Sequence, residues 1–214
     1  MRYRVKFAKT GSLKFIGHLD LMRLLQKSIK RAKIPVAYSQ GFNPHQLLSI
    51  ALPLSLGMEG FGEYFEIELE AETDDCKMKL ELNKALPFGL EILQVLQITN
   101  GEKNAASITR AALYEAVVET DLEEIDKMMS CEEILVMKKT KSGVKEANIR
   151  EDIIQMEYRD GKVSMLLSAG SERNLKPEYV LGVFARSEGA KVRRLELFKK
   201  SERGYEPLIS GDVE

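Results

Sequence analysis

Two histidines, His18 and His45, are the chain's only imidazoles, the side chain best suited to moving protons near neutral pH. His18 follows Gly17 at the start of an amphipathic stretch, and His45 closes the turn Gly41-Phe42-Asn43-Pro44-His45. With Lys14, Tyr38 and Ser39 they would furnish a general acid and a general base able to cleave a phosphodiester without a metal ion. The competing reading is a capping or core histidine, because sequence spacing sets no distance between the two rings. Cys76 and Cys131 stand alone, without CxxC or Cys/His spacing. No metal site or iron–sulfur cluster is therefore expected on this chain, and small buried apolar roles suit the two thiols better.

A second kind of chemistry is written in the charge pattern. Ten of the first 36 residues are Lys or Arg and only Asp20 opposes them, so a net charge of −1 divides into an N-terminal stretch near +9 and a remainder near −10. Clustered charge keeps its field at short range even when the whole molecule is close to neutral, and nucleic acid is the first expected partner. No membrane association is expected: the uncharged run Ala37 to Met58 contains Pro44, Pro53, Asn43, Gln46, Gly41 and Gly57, which rules it out as a spanning helix. The first residues interleave Arg2, Arg4 and Lys6 with apolar side chains and lack the apolar core of a signal peptide, so a cytoplasmic location is expected.

These groups must be positioned by elements that the hydrophobic period locates. Residues 2 to 7 alternate Arg, Tyr, Arg, Val, Lys, Phe, which predicts a half-buried strand. From His18 to Lys33 the period becomes helical, with Leu21, Leu25, Ile29 and Ala32 on one stripe and Arg23, Lys27, Lys30 and Arg31 on the other. Pro35 stops that helix, and a short strand from Val36 to Ser39 is expected before the turn. Glu63 to Glu70 predicts a strand with Phe65, Ile67 and Leu69 inward and Glu66, Glu68 and Glu70 outward. Asp74 and Asp75 open a helix to about Leu86, and Leu90 to Ile98 closes the unit.

The resulting β-α-β-β-α-β order is that of a ferredoxin-like fold. After a linker from Thr99 to Ser107 a similar series follows. Strands are expected at Leu113 to Glu119 and Glu132 to Lys139, a hairpin at Ile153 to Tyr158 and Val163 to Ser168, and a last strand at Lys191 to Lys199. Helices are expected at Leu122 to Met129 and Lys176 to Arg186. The expected class is α+β, with tandem ferredoxin-like halves at residues 1–98 and 108–200 and a tail at 201–214.

In strand order 4-1-3-2 the first strand lies beside the third, so Arg2, Arg4 and Lys6 would face Glu66, Glu68 and Glu70 as a ladder of ion pairs, each worth no more than about 1 kcal/mol if exposed. The helix stripe has no such answer. Asp20 is the only acid within reach of Arg23, Lys27, Lys30 and Arg31, and unpaired cations in a row suit an external anion such as RNA, or else a solvated face. The charge-free stretch Tyr38 to Met58 offers Ser39, Gln40, Asn43, Gln46 and Ser49 beside Phe42. That composition suits close approach by a ligand or protein, with burial between the halves as the alternative. Lys138, Lys139, Lys141 and Lys145 cluster on an expected hairpin, where acidic neighbours make them ordinary solvated charges.

The runs Leu13-Lys14-Phe15-Ile16-Gly17-His18-Leu19-Asp20-Leu21-Met22-Arg23, Tyr38-Ser39-Gln40-Gly41-Phe42-Asn43-Pro44-His45 and Gly62-Glu63-Tyr64-Phe65 resemble a bacterial family of radical-SAM-linked proteins of unknown function, over nearly the whole chain. The resemblance implies an accessory partner of a radical S-adenosylmethionine enzyme. The iron–sulfur cluster and S-adenosylmethionine would then sit on the partner, with no cofactor in this chain. Combined with the basic helix, it implies a protein that binds RNA, or presents an RNA-containing substrate, through Lys14, Arg23, Lys27, Lys30 and Arg31. Tandem ferredoxin-like halves also look like the metal-independent CRISPR repeat-processing RNases, for which His18, His45 and Tyr38 are the catalytic candidates. Those enzymes usually carry a glycine-rich loop near the C-terminal end, for which Ser187-Glu188-Gly189-Ala190 is a poor substitute. A purely protein-binding module, docking through Ser39, Gln40, Phe42, Asn43 and His45, is the third alternative.

Overall fold

The structure is a computed structural model that describes residues 1–99, 101–118, 120–140, 143–184 and 189–210. Alternation in the opening residues produces β1 (Arg2–Lys9), whose Tyr3, Val5 and Phe7 are fully buried. A 3-10 turn at Gly11–Phe15 leads into α1 (His18–Arg31), which buries Leu21, Leu25, Ser28 and Ile29 at helical spacing. Lys33 sits in the left-handed region (φ 55) just past the helix. Its N–H reaches the Lys30 carbonyl at 3.2 Å and the Ile34 N–H reaches the Ile29 carbonyl at 3.3 Å, so the last carbonyls are satisfied before Pro35.

β2 (Leu48–Ile50), β3 (Glu59–Glu68), α2 (Asp75–Ala85) and β4 (Leu90–Ile98) follow. The expected strand at Val36 to Ser39 is replaced by single bridges from Val36 to Leu69 and from Tyr38 to Gln46. The turn containing Gly41 and Pro44 interrupts pairing there, and the chain regains a ladder with β3 only at β2. The linker folds its end into α3 (Ala105–Ile108), capped by the Asn104 side chain, which accepts from the Ser107 N–H at 2.8 Å.

The second half contributes β5 (Thr109–Val117), α4 (Leu122–Ser130), the hairpin β6 (Leu135–Thr140) and β7 (Gly143–Asn148), β8 (Ile153–Arg159), β9 (Lys162–Ser168), α5 (Pro177–Leu181) and β10 (Val192–Ser201). The expected strand after α4 thus leaves the main sheet and pairs with β7 alone. The expected helix from Lys176 is one short turn pair ending at Leu181, and Arg186, like Ser187, Glu188 and Lys141, lies outside the described residues. The expected tail instead forms β11 (Gly204–Pro207) against β10 and buries Leu208 and Ile209 in the second core. Cys76 and Cys131 are exposed, against expectation: α2 turns Met78 and Leu82 inward, and α4 turns Ile125 and Met128 inward, leaving both thiols outside.

The architecture is mixed α/β, built on one large, mostly antiparallel sheet in the order β4-β1-β3-β10-β5-β9-β8, with β2 on β3 and β11 on β10. The one parallel seam among these pairs joins Glu59 and Gly60 of β3 to Arg193 and Arg194 of β10. β3 serves two neighbours on one edge: its first residues meet β10 and its last meet β2. Gly62 makes this approach possible, since a Cβ there would stand 2.4 Å from the Leu195 carbonyl oxygen. Two apolar cores flank the seam, one under α1 and α2, the other among α4, α5 and β5 to β10.

Candidate nucleic-acid interface

The ten N-terminal cations separate into two populations. Those on β1 are consumed internally. Arg2 and Arg4 both pair with Glu66, which also accepts the Ala105 N–H at 2.9 Å, and Lys6 pairs with Glu196 of β10. The expected ladder therefore collapses onto one carboxylate, while Glu68 and Glu70 stay exposed. The register explains it: Arg4 lies directly opposite Glu66, and Arg2, one pair along on the same face, leans diagonally to it. This face of β1 is also covered. Arg4 is buried and donates further to the Leu208 and Lys103 carbonyls, so the linker and the closing segment cover it.

Beside this runs a second buried set. Arg194 pairs with Glu63, both side chains 2% exposed, and donates to the Leu52 carbonyl at 2.8 Å. Lys9 is buried next to them and donates to the Ile16 carbonyl at 3.3 Å. Burial pushes its ammonium below the usual lysine range; Glu63 opposes that shift and Arg194 adds to it. The Tyr64 hydroxyl donates to Glu196 at 2.7 Å, and burial followed by that carboxylate pushes the phenol well above its ordinary range. The Gly62-Glu63-Tyr64-Phe65 run is thus the seam between halves: close approach, ion pair, hydrogen bond, and a Phe65 ring packed 5.7 Å from Phe7.

The cations of α1 are different. Arg23, Lys27, Lys30 and Arg31 are all exposed. Asp20 meets Arg23 at 3.1 Å, an exposed i,i+3 pair that holds the guanidinium weakly. Lys27 and Lys30 have no ion pair, and no carboxylate of the second half reaches the helix, among the described residues. Arg31 has a structural task, donating to Ser28 Oγ at 2.9 Å and to the Ala85 carbonyl at 2.7 Å, which ties α1 to the end of α2. Lys14 lies in the 3-10 turn with its Nζ 5.3 Å from the Phe15 ring centre, and its carbonyl accepts the Gly57 N–H at 2.8 Å.

The charge-free stretch divides in two. Ala51 and Met58 are buried in the second core, whereas Gly41 to His45 are exposed. The exposed part is a closed loop. The Ser39 N–H donates to the His45 carbonyl at 2.9 Å, Ser39 Oγ and His45 Nδ1 are 2.8 Å apart, and the His45 N–H donates to Ser39 Oγ at 3.1 Å. Gln46 then anchors the loop to α1, its Nε2 donating to the Gln26 carbonyl at 3.3 Å. Gln26 directly precedes Lys27 and lies about one turn before Lys30, so the loop is fastened to the stretch of helix that carries the free lysines.

Ser39 and His45 are hydrogen-bonded beside the Tyr38–Gln46 bridge, and no hydrogen bond joins His18 or Lys14 to them among the described residues. His18 occupies the first turn of α1, exposed, and its side chain has no hydrogen bond among the described residues. The loop is anchored eight residues further along, about 12 Å of helix. Among the described residues, hydrogen bonds join only Ser39 and His45 of the five candidate acid/base residues. Sequence reasoning missed the Gln46–Gln26 anchor and the exposed trio Phe15, Leu19 and Leu56; neither a lone glutamine nor single apolar residues in an amphipathic stretch carry a signal. Lys138 and Lys145 face each other across the β6–β7 hairpin, with Lys138 above the Tyr179 ring.

The described residues contain no helix long and apolar enough to cross a membrane. The family described as "uncharacterized protein conserved in bacteria (DUF2344)" matches residues 2–177. No curated protein matches the chain.

Proposed function

We propose that this chain, which belongs to the bacterial family matched over residues 2–177, is an RNA-binding accessory protein whose binding face is α1 with the loop anchored beside it. The carrying observation is the contrast in how the N-terminal cations are used: those on β1 are neutralised at the seam, while Lys27 and Lys30 stand free on the stretch of helix that holds the loop. Free cations in a row release counterions when they meet phosphates, which favours a polyanion over a small anion.

The partner in this reading is a radical S-adenosylmethionine enzyme, as the resemblance of the α1, loop and seam motifs implies. The iron–sulfur cluster and S-adenosylmethionine reside on it, in the cytoplasm. Phe15, Leu19 and Leu56 are each about two-thirds exposed, and the Gly57 to Lys14 backbone bond brings the segments carrying Leu56 and Phe15 together, which supports a second, apolar surface for such a partner. We also read each half as a ferredoxin-like unit. The reading is supported by one strand order, 4-1-3-2, appearing in β4-β1-β3-β2 and again in β10-β5-β9-β8.

Reversing Arg23, Lys27 and Lys30 together to Glu should abolish retention of cellular RNA on the purified protein, with thermal unfolding unchanged. Equal retention by the variant rejects the proposal. A second reading, metal-independent cleavage, is favoured by the Ser39–His45 hydrogen bond beside the basic face. RNA that stays intact after the same incubation in EDTA rejects it.

A further inference from the structure

We infer that the ligand of this face carries unpaired bases, and that Phe42 is the platform on which one of them stacks. The inference rests on the reading of α1 as an RNA-binding face and names the class of RNA it takes. Phe42 is 106% exposed, the most exposed large apolar side chain among the described residues, and nothing in the fold packs on its ring. The base of its loop is nonetheless closed, by the Tyr38–Gln46 bridge, the Ser39–His45 bonds and the Gln46 anchor. A ring held out on a braced loop keeps its π-face free at little ordering cost on binding. Gly41, at φ 125 with no atom within 4 Å of where a Cβ would be, leaves the approach to that ring open.

The composition around the ring points the same way. Gln40 and Asn43 are neutral, exposed donors and acceptors suited to base edges, while the charges suited to phosphates stand on α1. Tyr38, 45% exposed at the foot of the loop, offers a second ring. Bases in an A-form duplex are stacked on one another and present no face to such a ring, so single strands, loops or bulges are the fitting ligands.

The test is fluorescence anisotropy with a labelled, non-self-complementary RNA of about twelve nucleotides, against the same RNA annealed to its complement. The full chain is compared with Phe42→Ala, Phe42→Trp and Lys27→Gln/Lys30→Gln. The single strand is expected to bind more tightly than the duplex. Phe42→Ala should weaken it about tenfold or more without changing the salt slope, Phe42→Trp should restore it, and the lysine variant should lower the slope. Because Phe42 packs on nothing, its loss leaves the fold intact. Unchanged affinity in Phe42→Ala, with the lysine variant impaired, overturns the stacking role and leaves the RNA reading standing. A preference for the duplex also overturns the inference. If neither RNA binds at low salt, the underlying reading fails as well, and Phe42 is left as a contact for protein.

Discussion

Lys9 shows how a single residue can be charged, buried and costly. It shares its pocket with Arg194 and one carboxylate, Glu63, so two cations face one anion. Burial lowers its pKa in the folded chain, and the unfolded chain therefore binds more protons than the native one between that lowered value and the ordinary 10.5. Stability from this group consequently rises with pH through that window, and the penalty is greatest below it. Lys9→Met should raise the urea midpoint at pH 7, and its advantage over the wild type should shrink as pH approaches 10.5. A constant difference across that range would remove Lys9 as the cause. Little of this was legible beforehand: Lys9 reads as one more member of the basic N-terminal run, and its burial follows only from the closeness of β10, which lies far away in sequence.

At the scale of elements, α1 was the most legible, because a long amphipathic period with Pro35 after it determines where a helix lies and which face it buries. Its ending was not, since Lys33 is an unusual residue for the left-handed position that completes the cap. Lys33→Gly should relieve that strain and stabilise the fold by about 0.5–1 kcal/mol, read as a higher urea midpoint with unchanged slope. A lower midpoint would show that the lysine side chain contributes something the glycine cannot replace. β2 was misplaced for a comparable reason. A short strand is expected between Pro35 and the Gly41 turn, but whether a strand pairs depends on which edge of β3 is free, and hydrophobic period contains no information about edges. β8 and β9 were legible because Asp160-Gly161 marks their turn, with Asp160 itself at φ 52.

For the molecule as a whole, a mixture of many strands with few helices could be read from the chain, whereas the joining of β3 and β10 into one large, mostly antiparallel sheet could not. Its signature is a handful of charged residues, Arg4, Glu63, Glu66, Arg194 and Glu196, that look solvent-facing in sequence and are buried because the two halves cover each other. Buried pairs of this kind add modest net stability but are costly to break singly. Arg194→Met should destabilise the fold by about 3–5 kcal/mol by breaking the Glu63 ion pair, and Glu63→Leu with Lys9→Met on top of it, which clears the remaining charges of that pocket, should recover most of the loss. An Arg194→Met chain with near-normal stability would mean that the seam is not closed in solution.

The same partition of charge, spent at the seam and free on α1, is the central claim. Its most direct test is the dependence of RNA affinity on salt. The logarithm of the binding constant should fall linearly with the logarithm of salt concentration, and neutralising Arg23, Lys27 and Lys30 should flatten that slope by about 2, at roughly 0.7 per phosphate contact on a single strand. A wild-type affinity indifferent to salt, or a slope untouched by the three substitutions, would contradict the account.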